Sequence, residues 1–306
     1  MARSFLIIAL AVVAIPARAF AGAAEDCNQG QDPRRKIRGC TAFLSQSSNN
    51  AGKRVDAGKR AAIAYFNRGY AFSQLGRNNL AIADYTQAIE LDPRNILYHY
   101  QRGQLLAILG EEKRAEADFN AISEIDAKDP RAARGHALAL FNGRNYKDAV
   151  TALDEAERKD PKNAWTFFLR GRAQWNLGRL QEAANDLEKS VELDQSSKQR
   201  DPRYLLFRGL LRASRQLFDD AKKDFGEALK INPRYAEALV ARGNLLAKQG
   251  KIEDAVADFD KAIASEPLNA AAYEARGKPV GNKFAEDRLV PDLNGAIEMP
   301  SQQGIR

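Results

Sequence analysis

The sequence has few of the side chains on which enzymes and metal sites depend. Its 306 residues include only two histidines and two cysteines, and they contain no glycine-rich phosphate loop and no nucleophile elbow. Carboxylates are plentiful, but they alternate with Lys and Arg in the manner of solvated helix faces. We interpret His99 and His136 as packed or capping residues rather than general bases. We therefore expect no catalysis, no metal site and no cofactor.

Long apolar runs are also missing, apart from one at the N-terminus. Arg3 precedes an uncharged apolar run over residues 5–15, and Pro16 leads into small-residue triplets. The run is too short to cross a bilayer of ~30 Å as a helix. Residues 1–23 therefore predict a secretory signal peptide and an exported protein, periplasmic or secreted, with a weak membrane anchor as the alternative. The candidate cleavage positions follow Ala19, Ala21 and Ala23.

No strong charge of one sign points to nucleic acid. The formal net charge falls from +7 to +5 when Arg3 and Arg18 leave with the signal peptide, and no basic cluster with interleaved aromatics occurs. We expect no nucleic-acid partner, because so mild a positive bias permits an acidic partner without demanding one.

The two cysteines, Cys27 and Cys40, closely follow the predicted signal peptide. In an exported protein such a pair predicts a disulfide bond, while the alternative is two unlinked small apolar side chains. Residues 33–45 can form an amphipathic helix, and residues 46–60 are polar. We therefore interpret residues 24–61 as an N-terminal capping segment followed by a linker.

What the sequence does contain is a repeat marked by the dipeptide Arg-Gly. It recurs at steps of 34, 68, 38, 34 and 34 residues, from Arg68-Gly69 to Arg276-Gly277. With this glycine numbered position eight, position twenty is always alanine and position twenty-four is always large and apolar. A fixed period of this length predicts stacked helical hairpins, in which the small residues let two helices approach closely. The six repeats begin at Ala62, Ile96, Pro130, Ala164, Pro202 and Ala236.

Local signals divide each repeat into helices. Pairs of Asp or Asn with Pro predict helix starts, and a glycine near the middle of most repeats predicts a left-handed turn inside the hairpin. Residues 270–277 begin a seventh repeat, which Pro279 and Gly281 interrupt. We expect this short helix to cap the last hairpin, and residues 278–306 to be mostly disordered. The turn glycines are Gly76, Gly110, Gly143, Gly178 and Gly250.

The pattern of small, aromatic and proline places over residues 62–269 resembles that of the tetratricopeptide repeat (TPR) proteins. The resemblance implies an all-α fold, a right-handed superhelical solenoid of antiparallel helix hairpins over residues 62–277, with six repeats and capping helices. It also implies a protein-binding function. Together with the signal peptide, it suggests an exported bacterial member of that family.

Position twenty-three is aspartate in every full repeat that has the Arg-Gly arginine, whereas repeat three has His136 and Ala152 in the two places. This joint loss predicts structural ion pairs between the two helices of a repeat. The alternative is a ladder of exposed arginines that binds a ligand. Arg276 has no aspartate in its own truncated repeat, and Asp258 is a possible partner. The predicted pairs are Arg68–Asp84, Arg102–Asp118, Arg170–Asp186, Arg208–Asp224 and Arg242–Asp258.

In the resembled family the first helices line a concave groove, into which positions two, five and nine point. The resemblance therefore implies a groove in which aromatic residues alternate with arginines, and which fits an apolar or aromatic peptide with acidic character. The alternative is that these aromatics belong to the core. One subfamily grips chaperone C-termini with Lys and Asn where Phe66 and Tyr70 stand, so that cytosolic role is not expected. The predicted groove residues are Phe66, Tyr70, Tyr100, Gln104, Arg131, Arg134, Trp165, Phe168 and Arg172.

These features predict a non-enzymatic scaffold or adaptor outside the cytoplasm that binds a peptide or partner segment in the groove. There are two alternatives, a chaperone-like carrier of exported chains and a structural spacer without a groove ligand. A further hypothesis concerns the tail after Gly281, which mixes apolar and acidic residues. That tail could lie in the groove and block it.

Overall fold

The computed structural model describes residues 17–29, 31–48 and 55–281. Within these ranges the chain forms fifteen helices and no strand, so the prediction of an all-α fold is confirmed. The predictions for the start of the signal peptide and for most of the tail concern residues 1–16 and 282–306, which lie outside the described residues. None of the described helices is long and apolar enough to span a membrane.

The chain divides into two compact units, residues 1–127 and 128–306. The first contains two N-terminal helices and repeats one and two. Its helices are α1 (Ala17–Gln29), α2 (Pro33–Ser48), α3 (Val55–Gln74), α4 (Asn78–Leu91), α5 (Ile96–Ile108) and α6 (Glu112–Ile125).

The second unit contains repeats three to six and a terminal helix. Each repeat is an antiparallel pair of helices, and each pair packs against the next within the unit. Its helices are α7 (Pro130–Asn142), α8 (Tyr146–Lys159), α9 (Ala164–Asn176), α10 (Leu180–Asp194), α11 (Pro202–Ser214), α12 (Phe218–Ile231), α13 (Ala236–Lys248), α14 (Ile252–Ser265) and α15 (Ala270–Gly281).

The core follows the repeat pattern. All six alanines at position twenty are completely buried, and the large residue at position twenty-four is at most 1% exposed in every repeat. The glycine at position eight is needed for this packing, since a Cβ atom on Gly103 would lie 2.6 Å from Cε1 of Phe119. Small residues at positions eight and twenty therefore let the two helices of a hairpin close around one large side chain.

The turns inside the hairpins depart from the prediction in repeat three. Gly76 has a φ of 69°, as a left-handed turn requires, whereas Gly143 does not occupy that region and Arg144 takes its place with a φ of 61°. Repeat five, which has no glycine there, uses Gln216 at a φ of 63°. Left-handed geometry is thus set by the place in the turn, and glycine only makes it easier.

Helix starts also differ from the prediction. Asp129 and Asp201 cap their helices, because a proline follows directly at the first helical position. In other repeats the proline comes earlier, and Asp92 ends α4 while Asn95 accepts a hydrogen bond from the Leu97 amide at the start of α5. Asn163 caps α9 in the same way. An Asp-Pro pair three residues further back therefore belongs to the end of the preceding helix.

The N-terminal segment is more helical than predicted. The disulfide bond between Cys27 and Cys40 joins α1 to α2, and α1 begins at Ala17, inside the predicted signal peptide. The expected polar linker is short, because α2 continues to Ser48 and α3 already begins at Val55. Good helix formers just before the first repeat, such as Lys59 and Arg60, extend its first helix backwards.

The terminal helix is longer than expected. α15 continues to Gly281, past Pro279, so the predicted boundary at 277 lies four residues too early. A proline this close to a helix end removes a single main-chain hydrogen bond, which the last turn tolerates.

Candidate functional site

The Arg-Gly arginines lie between the two helices of their own repeats. In all five predicted pairs, Nε and Nη2 of the arginine donate to the two carboxylate oxygens of the aspartate, at distances of 2.6–3.0 Å. The aspartate side chains are only 2–10% exposed. This planar, two-bond geometry is the strong form of the ion pair. The arginines therefore brace the hairpins and do not form an exposed ladder.

In three of these arginines the remaining nitrogen, Nη1, reaches the preceding repeat, a contact that sequence reasoning missed. Nη1 of Arg102 donates to Thr86 at 2.9 Å, and Nη1 of Arg170 donates to Asp154 at 2.7 Å. Nη1 of Arg208 likewise donates to Glu188 at 2.7 Å. All three acceptors occupy position twenty-five of the repeat before. We call this contact the inter-repeat clamp.

Arg276 also forms the inter-repeat clamp, and its partner there differs from the expected Asp258. Its Nη1 bonds to Asp260, which is position twenty-five of repeat six, while Asp258 pairs with Arg242. At the other end, Nη1 of Arg68 donates to Thr41 of α2 at 3.2 Å. A polar residue at position twenty-five, in a repeat that is followed by one with the Arg-Gly arginine, was the sequence signal that could have predicted the clamp.

Two of the predicted groove residues are buried. Phe168 is 3% exposed, because Tyr204 and Phe207 of the next repeat cover its ring at centroid distances of 5.0 and 5.3 Å. Arg134 is also buried, and its Nη1 donates to Asp160 at 2.9 Å. The groove assignment is wrong for these two, since their neighbours enclose them. Both belong to the core of the second unit.

The remaining predicted groove residues are at least partly exposed. In the first unit Tyr70 is exposed, and Phe66, Tyr100 and Gln104 are half-buried. The ring of Phe66 lies 4.9 Å from that of Tyr98, measured between centroids. In the second unit Trp165, Arg131 and Arg172 are half-buried. Arg131 bonds to Asp129, the cap of its own helix. The exposed set thus divides into an aromatic part in the first unit and an arginine-containing part in the second.

Arg172 differs from the other arginines of this set. Its guanidinium lies 4.7 Å from the ring centroid of Phe141 and 4.4 Å from that of Phe207, so rings of the preceding and following repeats flank it. Among the described residues no acceptor hydrogen-bonds to its guanidinium. Burial, followed by the charge of nearby Arg203, lowers the pKa of Arg172. A half-buried cation beside a second cation is thus held by aromatic faces alone.

The surroundings of Arg172 extend over repeats three to five. Arg203 is exposed and bonds to Asp201, and Tyr235 stands close enough for both arginines to act on its charge. Burial raises the pKa of Tyr235 to about 12, so it remains a neutral donor. We define the Arg172 surface as Phe141, Arg172, Arg203, Phe207 and Tyr235. It offers several N–H and O–H donors between aromatic faces, which is suited to an anionic group.

Two family models, both described as tetratricopeptide repeat, match this chain. One matches residues 62–95, and the other matches residues 134–204, 204–270 and 240–278. Together these matches span more than half of the 306 residues. The chain belongs to the tetratricopeptide repeat family.

TPR proteins generally mediate protein–protein interaction, and their scaffold is typically non-enzymatic. A curated relative is Hsp70-Hsp90 organizing protein 1 of Glycine max, which is 29% identical over 114 residues. That match covers 37% of this chain and 19% of the relative, so this chain spans about a fifth of the length of the relative.

Solved structures of TPR proteins have the same fold. A TPR protein from Parabacteroides merdae is 19% identical with a TM-score of 0.55, covering 79% of this chain and 94% of the other. A thermophilic TPR protein from Thermus thermophilus is also 19% identical with a TM-score of 0.55, covering 61% and 99%. At this identity the likeness establishes the fold, a TPR solenoid, and nothing finer.

Proposed function

We propose that this chain is a non-enzymatic adaptor that binds a partner segment at the Arg172 surface. The observation that supports this is the state of Arg172, which is half-buried between two rings and has no hydrogen-bond acceptor among the described residues. A desolvated arginine without a counter-charge costs stability that a structural role would not require. An acceptor supplied by a partner would offset that cost.

The chemistry of this surface selects the partner. A carboxylate can take two N–H bonds from Arg172 and lies within the positive potential of Arg203. The flanking rings of Phe141 and Phe207 favour an apolar or aromatic residue beside that carboxylate. The expected ligand is therefore a peptide in which an acidic side chain or a free C-terminus adjoins an apolar residue.

The first unit has several exposed apolar side chains on its first helices. Ile63, Tyr70, Leu97 and Ile108 are all exposed. Three of them hold groove positions in their repeats, and Ile108 ends α5. We propose that these side chains, three of them at positions that face the groove in the resembled family, bind an apolar stretch of a partner.

Export from the cytoplasm is part of the same proposal. It is supported by the apolar N-terminal run and by the Cys27–Cys40 disulfide, which persists in oxidising compartments. When the complete chain is expressed in a bacterium and fractionated, mass spectrometry should find exported protein that has lost the residues before its cleavage site, with both cysteines linked. An intact chain that begins at Met1 and stays in the cytoplasm with free thiols would contradict export.

A displayed library of random peptides, selected against the purified protein, tests the binding proposal. Enriched sequences should combine an acidic group with apolar or aromatic residues. Arg172→Met keeps an apolar stem between the rings and removes the charge. It should therefore raise the Kd of the enriched peptides, measured by fluorescence anisotropy, by at least about tenfold. Arg179→Met is the matched control, because Arg179 is exposed and its side chain makes no capping bond.

The outcomes separate the proposal from its rivals. Enriched peptides that bind Arg172→Met as tightly as the wild type would refute the Arg172 surface as the site. Broad, weak binding without preference for a carboxylate would indicate a chaperone-like carrier instead. No enrichment at all would leave a structural spacer.

A further inference from the structure

Within the second unit, one joint between consecutive repeats lacks the inter-repeat clamp. Arg242 forms both bonds to Asp258 within repeat six, but among the described residues its Nη1 has no partner. The acceptor place, position twenty-five of repeat five, holds Gly226. The joint between repeats five and six is therefore open at the place where Thr86, Asp154, Glu188 and Asp260 accept elsewhere.

Space is not the reason for the missing contact. A Cβ atom added to Gly226 would meet nothing within 4 Å, so a side chain fits at this place. Arg242 is also the most exposed arginine of the series, at 26%, compared with 11% for Arg170 and 13% for Arg208. The glycine alone removes the acceptor, and inside α12 it also lowers helix stability.

The neighbouring joint is braced more strongly. Between repeats four and five, Arg208 and Arg212 both bond to Glu188 and both bond to Asp224. Across the open joint, a polar contact is that of Lys248, whose Nζ lies 4.7 Å from the ring centroid of Phe218. Apolar packing continues through both joints, so the difference between them lies in the ion pairs.

We propose that the joint between repeats five and six is a hinge, at which α13, α14 and α15 move away from α12 as one body. In a repeat array, stability is approximately the sum of repeat terms and nearest-neighbour interface terms, so the weakest interface opens first. The moving body stays together because Arg242 pairs with Asp258 and Arg276 pairs with Asp260. Only one repeat and a terminal helix have to move.

The hinge adjoins the Arg172 surface. Tyr235 immediately precedes α13, and the charges of Arg172 and Arg203 act on it across the joint. Opening would carry Tyr235 away and widen the access to Arg172. This last consequence rests on the proposed function, whereas the hinge itself does not.

Hydrogen–deuterium exchange of the full chain, followed by mass spectrometry, tests the hinge. In the wild type, peptides from α13 to α15 should exchange together and faster than peptides from α9 to α12. Gly226→Asp supplies the missing acceptor, and it should slow exchange in α13–α15 by roughly tenfold relative to Gly226→Ala. Added salt should weaken that protection, since the restored contact is partly exposed.

Two controls isolate the clamp. Gly226→Ala removes the glycine's flexibility without adding an acceptor, and Gly226→Lys fills the same space with the wrong charge. Neither should give the protection of Gly226→Asp. The hinge is refuted if α13–α15 exchange no faster than α9–α12 in the wild type, or if Gly226→Asp protects no better than Gly226→Ala. Peptide binding at Arg172 is measured separately, so failure of either proposal leaves the other testable.

Discussion

Removal of Arg170 should be among the most damaging single changes to the second unit. Its guanidinium bonds to Asp186 at 2.8 and 2.9 Å, to Asp154 at 2.7 Å, and to Glu157. Arg170→Ala would leave Asp186, whose side chain is 10% exposed, beside two further carboxylates without a cation. Breaking a buried pair in this way costs about 3–5 kcal/mol. For a unit of this size that corresponds to a fall in melting temperature of roughly 6–20 °C.

The deficit should depend on pH. In the wild type, burial raises the pKa of Asp186, Arg170 opposes that rise, and Glu157 and Asp154 add to it. Loss of Arg170 removes the opposing contribution, so the folded-state pKa rises further. A carboxyl group with a raised folded pKa stabilises the fold at low pH and loses that contribution as pH increases through the folded pKa. The deficit of Arg170→Ala should therefore be largest near neutral pH and shrink on acidification towards the ordinary value of 3.8.

Thermal melting followed by circular dichroism measures both effects. Arg179→Ala is the control, because this exposed side chain makes no capping bond. The double variant Arg170→Ala with Asp186→Ala should recover part of the loss, as repeat three already lacks both partners at His136 and Ala152. The reasoning is refuted if Arg170→Ala melts with the control at neutral pH, or if its deficit grows on acidification.

Two further predictions concern packing and ionisation of the core. Gly103→Ala would place Cβ 2.6 Å from a Phe119 ring carbon, and it should lower the free energy of unfolding, measured with denaturant, by about 1–3 kcal/mol. Gly58→Ala is the control, because the space around its Cβ is open and no stability should be lost. Equal stabilities of the two variants would contradict the close approach at Gly103. Burial raises the pKa of Tyr85 and Tyr204 to about 12, so the folded state favours the neutral phenols. Their contribution to the free energy of unfolding should be fully present below pH 10 and should be lost as the pH rises towards 12. Phenolate absorbance should rise with that unfolding and show one late-titrating group fewer in Tyr85→Phe, and ionisation of all tyrosines before any unfolding would contradict this.

Much of the fold could be predicted because each position of the repeat is seen six times. A single buried alanine says little, but alanine at position twenty in all repeats leaves one interpretation, and all six are buried. The hairpin and its core therefore follow from periodicity and side-chain size. Errors arose where the repeats differ, as in the turn at Arg144 and the helix end at Asp92.

The candidate site was less accessible to prediction. Position five points towards the next repeat, so its exposure depends on what that repeat presents. Tyr204 and Phe207 bury Phe168, and this can be known only once the spacing of neighbouring helices is known. Repeat three lacks the arginine and the aspartate together, at His136 and Ala152, and this paired loss marked contacts within a repeat. Position twenty-five shows no such paired loss. The clamp is a contact between repeats, and its acceptors vary in chemistry from threonine to glutamate.

The clamp makes the repeats non-interchangeable, which bears on how the array can gain or lose members. Repeats one, three, four and six each carry the acceptor for the arginine of the next repeat. Excision of repeat five would place Arg242 behind Glu188 and close the open joint, whereas excision of repeat six would place Arg276 behind Gly226 and keep it open. Two deletions of equal length would thus leave shortened arrays of unequal stability, and the order of the modules carries information that their individual sequences do not.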